Sequence, residues 1–210
     1  VSNGTPHSCH LIGLQLKKRF GLPWLADFRD PWTLVDYFDQ LKLTGLARRK
    51  HYKLEYNVLE NADVVTTVSW TWEKDFKNIG AKKTATITNG FDSDDFTSLT
   101  NIESDKFVLT HLGTLSKYRF HSEFWNRILA KTKRDSEFKN QLEIRLIGNV
   151  DGVFFKFFNE NSLIENVNHI PQVEHKEALS HAASSDALLL ILGDKSKSEG
   201  RIPAKIFEYM

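Results

Sequence analysis

Near the end of the 210-residue chain, Glu199-Gly200-Arg201-Ile202-Pro203-Ala204-Lys205-Ile206-Phe207-Glu208 gathers two carboxylates, two cations, a glycine and a proline. Proline suits the first turn of a helix, where its missing N–H is not needed. A helix entered there would aim free backbone N–H groups at an anion, with Arg201 and Lys205 as neighbouring cations. Lys117 and Arg119, just beyond Gly113 and Thr114, are further candidate cations. Together these residues suit the holding of a phosphate group. Other constellations carry less. Asp92-Ser93-Asp94 has the composition of a metal ligand set but follows Asn89-Gly90, where aspartate is a turn former. His7 and His10, and His169, His175 and His181, lack zinc-site spacing, so no metal site is expected. No P-loop and no Gly-x-Gly-x-x-Gly occurs, which argues against NTP hydrolysis and against a dinucleotide dehydrogenase.

The elements that must position these residues follow from periodicity. His10 to Phe20 is amphipathic, closed by Lys17, Lys18 and Arg19 and stopped by Gly21. Pro23 to Phe28 is a short apolar strand before Arg29-Asp30-Pro31. A helical stretch runs from Leu34 to Asn61. Asp63 to Val68 is β-branched and reads as a buried strand. Ser69 caps a helix through Asn78, Gly80 closes it, and Thr84 to Thr88 is the next strand. Residues 96–105 are polar and read as a linker. The alternation then restarts: strands at Phe107 to Leu112, Leu142 to Ile147, Val167 to Ile170 and Ala187 to Leu192, with helices at Ser122 to Lys139, Val150 to Asn161, His175 to Ala183 and from Ile202 onward. Short apolar strands alternating with helices mean parallel sheets. The expectation is therefore an α/β chain of two Rossmann-like lobes, residues 1–95 and 106–210. Ligands of such sheets sit at the strand C-termini, where Gly113, Gly148 and Gly193 lie.

Composition narrows the class. Hydrophobic residues are 40% and charged residues 26%, as in an ordinary globular protein, and 15 Phe, 5 Trp and 5 Tyr supply core bulk. Lys+Arg 28 against Asp+Glu 27 gives a net charge of +1, which disfavours a nucleic-acid binder of the basic type. No apolar run is long enough to span a bilayer, and Val1 to Phe20 lacks a signal-peptide core. Cys9 is the only cysteine, so no internal disulfide forms and a reducing, cytoplasmic setting fits. The basic runs Lys17-Lys18-Arg19 and Arg48-Arg49-Lys50 read first as solvated helix faces; the alternative for such amphipathic helices is peripheral contact with anionic membrane at its inner face. No strand is read before the first helix and the last helix is uncapped, so both sheets look cut and an internal fragment of a longer protein is expected.

Six pieces in order along the chain resemble the retaining glycosyltransferases of the GT-B fold, group 1 or family 4 type. They are Pro6-His7-Ser8 with Leu11 to Leu16; Pro23 to Asp30; Ala62 to Ser69; Ile87-Thr88-Asn89-Gly90-Phe91-Asp92 with Phe96; Leu112-Gly113-Thr114-Leu115 with Lys117; and Glu199 to Glu208. Four departures stand out. Arg29 replaces the family's histidine after the acceptor strand. Glu199 and Glu208 are nine apart, one more than usual. Thr114 replaces the arginine after the donor-lobe glycine, leaving Lys117 or Arg119 to supply the cation. The Gly-rich first loop of the acceptor lobe is absent.

The resemblance implies transfer of a sugar, with retention and without a required metal or cofactor, from a UDP, GDP or dTDP sugar to a glycan or lipid-linked acceptor, as in bacterial envelope polysaccharide synthesis. It implies an acceptor lobe in residues 1–95 and a donor lobe in 106–210. Glu199, Asp30 and Arg29 would be the catalytic residues. Gly113, Thr114, Lys117, Arg119, Gly148, Asn149, Val173, Gly200, Arg201, Ile202, Pro203, Lys205 and Glu208 would bind the donor, with Glu208 accepting hydrogen bonds from a vicinal diol of the ribose. Charge growing on the leaving phosphate would be met by the amides and cations. The alternatives are a nucleotide-sugar epimerase of the same fold and a non-catalytic nucleotide- or glycan-binding fragment.

Overall fold

The computed structural model describes residues 1–35, 37–193 and 199–210. It divides into two compact units: residues 1–89 with 199–203, and residues 90–193 with 204–210. Each is built on a four-stranded parallel sheet flanked by helices.

In the first unit, β1 (Ser2–Gly4), β2 (Leu25–Phe28), β3 (Val64–Thr67) and β4 (Thr84–Thr86) lie side by side in chain order. Gly4 pairs with Phe28, Phe28 with Thr67, and Thr67 with Thr86, so the strands end level. The crossovers are α1 (Ser8–Phe20), α2 (Gly45–Asn61) and α3 (Trp70–Ile79). α1 stops where Gly21 turns left-handed (φ 65°) and returns its N–H to the Lys17 carbonyl. Ser69 caps α3 by accepting from the Trp72 amide. Trp24, Phe28, Val58, Leu59, Trp72 and Phe76 fill the core.

In the second unit the strands are β5 (Phe107–Leu112), β6 (Leu142–Ile147), β7 (Val167–Ile170) and β8 (Ala187–Leu188). Their order is β7-β6-β5-β8, so the chain reverses direction across the sheet at β5. The helices are α4 (Ser122–Arg134), α5 (Ser136–Gln141), α6 (Gly152–Glu160), α7 (His175–Ala183) and α8 (Lys205–Tyr209). Leu109, Ile144 and Leu146 pack against Trp125, Phe154 and Phe158 on one side. Leu112 and Ile147 pack with Ala182 and Tyr209 in a second cluster.

Three differences from the sequence reading have local causes. A strand, β1, does precede α1: Ser-Asn-Gly carries no hydrophobic period, and only pairing with β2 reveals it. The helix expected over 34–61 begins at Gly45. A 3₁₀ turn at Phe38–Leu41 ends with Lys42 left-handed (φ 48°), and Thr44 then caps α2 through the Ala47 amide; Asp36 lies outside the described residues. The strand expected to Leu192 stops at Leu188. Beyond it, histidine side chains take backbone carbonyls that a neighbouring strand would use: His111 bonds the Leu189 oxygen at 2.8 Å and His121 the Leu192 oxygen at 2.7 Å.

Candidate functional site

The second unit places its polar chemistry at the C-terminal ends of β5 and β6. That edge of β5, where strand order reverses, is where ligands of parallel sheets bind. The chain leaves β5 at Gly113 (φ 88°) and β6 at Gly148 (φ 111°). The two turns are stacked closely: a Cβ on Gly148 would lie 3.0 Å from the Gly113 carbonyl oxygen. The Gly113 N–H donates to Ile147 at 2.6 Å, and Leu115 N–H to the Asn149 carbonyl at 2.8 Å. Both glycines adopt a positive φ that a side chain disfavours, and at Gly148 the Gly113 backbone also leaves no room for one.

Over Gly113 sits Lys205, the first residue of α8. A Cβ on Gly113 would meet its Nζ at 2.8 Å. Burial and the charge of Arg119 lower the Lys205 pKa to about 8, with Glu208 opposing. Among the described residues no carboxylate pairs with this ammonium. Arg119 donates to the Thr114 carbonyl at 3.0 Å, and the Lys117 ammonium stands 5.2 Å over the exposed Tyr118 ring. Glu208 Oε1 lies 3.7 Å from His175 Nε2, which is also 3.5 Å from Asp95 Oδ2. The Tyr209 hydroxyl accepts from the Leu112 amide at 3.2 Å, and Val173 packs beneath.

His111, two residues before Gly113, was not singled out by sequence. It is 1% exposed, and its Nδ1–H donates to Leu189, leaving Nε2 buried without a partner. Burial, then the charges of Lys205 and Arg119, lower its pKa to about 4, so the ring is neutral. The available signal was a histidine interrupting an apolar strand immediately before a glycine turn.

The first unit holds the remaining candidates. Arg29 and Asp30 follow β2 at the level strand ends. Arg29 Nε stands 3.7 Å from Asp27 Oδ2, and Asp27 also accepts from Thr66 Oγ1 at 2.7 Å. Asp30 lies close enough to His7 to raise its pKa, against the lowering by burial. The Glu199 carbonyl accepts the Trp72 indole N–H at 3.2 Å, and Gly200 (φ 81°) backs onto Thr71 and Trp72, where a Cβ would come within 2.8 Å. Arg201, Ile202 and Pro203 are half-buried in this unit. The structure therefore groups Gly113, Thr114, Lys117, Arg119, Gly148, Asn149, Val173, Lys205 and Glu208 in one unit, and Arg29, Asp30 and Glu199 to Pro203 in the other. The helix expected from Ile202 starts at Lys205 and is one turn long, so residues 200–203 are not its first turn. The Asp92 carboxylate accepts the Asp94 amide at 2.9 Å and caps a 3₁₀ turn over Ser93–Phe96.

No protein-family model matches the chain, and no curated protein matches it in sequence. Solved structures do match in fold. The N-terminal domain of trehalose-6-phosphate phosphatase from Candida albicans aligns with a TM-score of 0.66 at 12% identity, covering 90% of this chain and 49% of that one. Sucrose-phosphate synthase from Thermosynechococcus elongatus aligns at 0.55 and 17% identity, covering 86% and 47%. A UDP-forming α,α-trehalose-phosphate synthase from Burkholderia xenovorans aligns at 0.54 and 9% identity, covering 83% and 49%. The chain spans about half the length of the structures it matches. The fold is α/β, two Rossmann-like lobes of GT-B type. No described helix is long and apolar enough to cross a membrane.

Proposed function

We propose that the chain carries the two half-sites of a glycosyltransferase that takes a sugar from a nucleoside diphosphate donor. One observation supports this most: the partly buried Lys205 ammonium poised over the glycine turn of β5 at the strand-order reversal. A partly buried cation that no described carboxylate pairs loses hydration that an anion would make good. A diphosphate fits that requirement, with the charge of Arg119 also acting at Lys205. Glu208, three residues along α8 from Lys205, is the carboxylate proposed to accept from the ribose hydroxyls in place of its contact with His175. Departure of the sugar adds charge to the β-phosphate, and a fixed, partly buried ammonium stabilises that charge more than bulk water does. In this reading Asp30 and Arg29 act on the acceptor hydroxyl and Glu199 on the sugar. Retention follows in this reading from delivery of the acceptor on the face the phosphate leaves, with the phosphate taking its proton and no metal required.

The acceptor is a glycan or a lipid-linked sugar. Contact with an anionic membrane is supported by α1, where Ile12, Leu16 and Phe20 form an exposed apolar stripe at four-residue spacing beside Lys18 and Arg19. The deciding experiment is calorimetry with UDP, GDP and dTDP, followed by a sugar-donor screen read by released nucleoside diphosphate. Binding of one nucleotide that is lost in Lys205→Met supports the reading; no binding by any of the three removes it.

A further inference from the structure

The loop after β2 is anchored more firmly than its exposed residues require. Phe28 is locked in the sheet between β1 and β3. Four residues later Trp32 is 8% exposed and Thr33 7%. Glu55, on α2 and only 1% exposed, turns its carboxylate to this segment. Its Oε1 accepts the amides of Trp32 at 3.1 Å and Thr33 at 3.2 Å, and its Oε2 accepts the Thr33 hydroxyl. Burial pushes the Glu55 carboxyl pKa up while these three bonds oppose the shift. One turn earlier on the same helix face, His51 Nδ1 accepts the Trp32 indole N–H at 2.9 Å. His7 stacks ring to ring with Trp32 at 5.2 Å and 10°.

Trp32 is thus held by its amide, its indole N–H and its ring face. A buried carboxylate is an expensive way to fill a core, since an apolar side chain of similar volume serves stability as well or better. What Glu55 supplies instead is acceptors for two backbone N–H groups and a hydroxyl at one fixed place. Only Arg29, Asp30 and Pro31 separate Phe28 from Trp32, and proline fixes one of the intervening dihedrals. With both ends held, the short backbone link that carries Arg29 and Asp30 at the sheet edge has little freedom. We propose that Glu55 and His51 are positioning residues that set Arg29 and Asp30 for the acceptor. This rests on the glycosyl-transfer reading above.

The test compares the parent chain with Glu55→Gln, Glu55→Ala and His51→Phe. Glutamine keeps an oxygen for both amides, and its NH₂ can donate to a Thr33 hydroxyl that turns to accept; alanine supplies neither. Hydrogen exchange at the Trp32 and Thr33 amides reads the anchoring directly. Turnover is read as nucleoside diphosphate released from UDP-glucose, GDP-mannose or dTDP-rhamnose, and donor-side integrity as affinity for UDP, GDP and dTDP. In Glu55→Ala the two amides exchange at least ~10-fold faster, the factor for ~1.4 kcal/mol of lost hydrogen bonding. Its turnover falls ~10- to 100-fold, as for a reacting group misplaced by about 1 Å, while nucleotide affinity stays within about twofold. Glu55→Gln keeps exchange and turnover near the parent, and His51→Phe repeats the turnover loss should Glu55→Ala not fold. Unchanged exchange in Glu55→Ala, turnover that survives lost protection, or nucleotide affinity falling in step with turnover overturns the proposal. A parent that binds no nucleotide refutes the transferase reading, and the positioning role for Arg29 and Asp30 in that reaction falls with it, even where the exchange pattern shows the loop held.

Discussion

Two neutral histidines make each unit sensitive to acid by a calculable amount. His111 in the second unit and His10 in the first each have a pKa lowered from 6.5 to about 4, chiefly by burial. His10 is 0% exposed, its Nδ1 is 2.8 Å from Ser2 Oγ and its Nε2 has no partner among the described residues. For a base whose pKa is depressed on folding, the unfolded chain binds more protons. The contribution to stability is therefore whole above pH 6.5 and is lost as pH falls toward 4. The difference at pH 5 is about 2 kcal/mol per histidine, rising to about 3 kcal/mol once the pH is below 4. His111→Asn isolates the effect, because the asparagine amide nitrogen can reach the Leu189 carbonyl as Nδ1 does and cannot titrate. Urea melts followed by tryptophan emission, at pH 7.5 and pH 5, give the stability change for parent and variant. The loss on acidification should shrink by about 2 kcal/mol in His111→Asn whatever the variant's stability at neutral pH. An identical pH dependence in the two proteins would show that His111 is protonated normally, and that the buried, cation-flanked environment assigned to it is wrong.

Further consequences concern ligands. Because Lys205 loses its charge near pH 8, nucleoside diphosphate affinity should fall about tenfold between pH 7 and pH 9; calorimetry on Lys205→Met, showing weak binding at both values, checks that this group is responsible. Glu208→Gln should raise the donor KM by about tenfold, the size of a charge-assisted hydrogen bond, with little change in kcat; an unaltered KM removes Glu208 from the ribose. Gly113→Ala should weaken nucleotide binding by displacing Lys205, whose Nζ lies 2.8 Å from the added Cβ, and should also lower Tm through the strain of φ 88°. Co-sedimentation with phosphatidylglycerol vesicles should drop several-fold in Leu16→Gln/Phe20→Gln, which removes apolar surface from α1 while keeping its charge.

What the sequence made legible divides along a physical line. Buried parallel strands are written locally, since both faces are covered and β-branched or aliphatic runs result. Leu142 to Ile147 and the run ending at Leu112 could thus be read directly, and the glycines after them followed because a turn with positive φ needs them. The two-lobe α/β architecture came from that rhythm and from the polar stretch that interrupts it. Features decided by partners far along the chain were not legible. Ser2–Gly4 is a strand only because Leu25–Phe28 lies beside it, and β8 is cut short by histidines from β5 and from the start of α4. The same limit explains Glu55. By residue type it belongs on a solvated helix face, and the feature that turns it inward is the pair of amides at Trp32 and Thr33, more than twenty residues away. A polar residue that breaks the local pattern is where a tertiary demand overrides it. His111 in an apolar strand and Glu55 on a core-facing helix are two such breaks: His111 stands near the C-terminal end of β5, and the Glu55 carboxylate bonds the segment that leaves β2, on the edge where parallel sheets put their chemistry. Reading the exceptions to the pattern, and not only the pattern, is therefore the route from this fold to its candidate site.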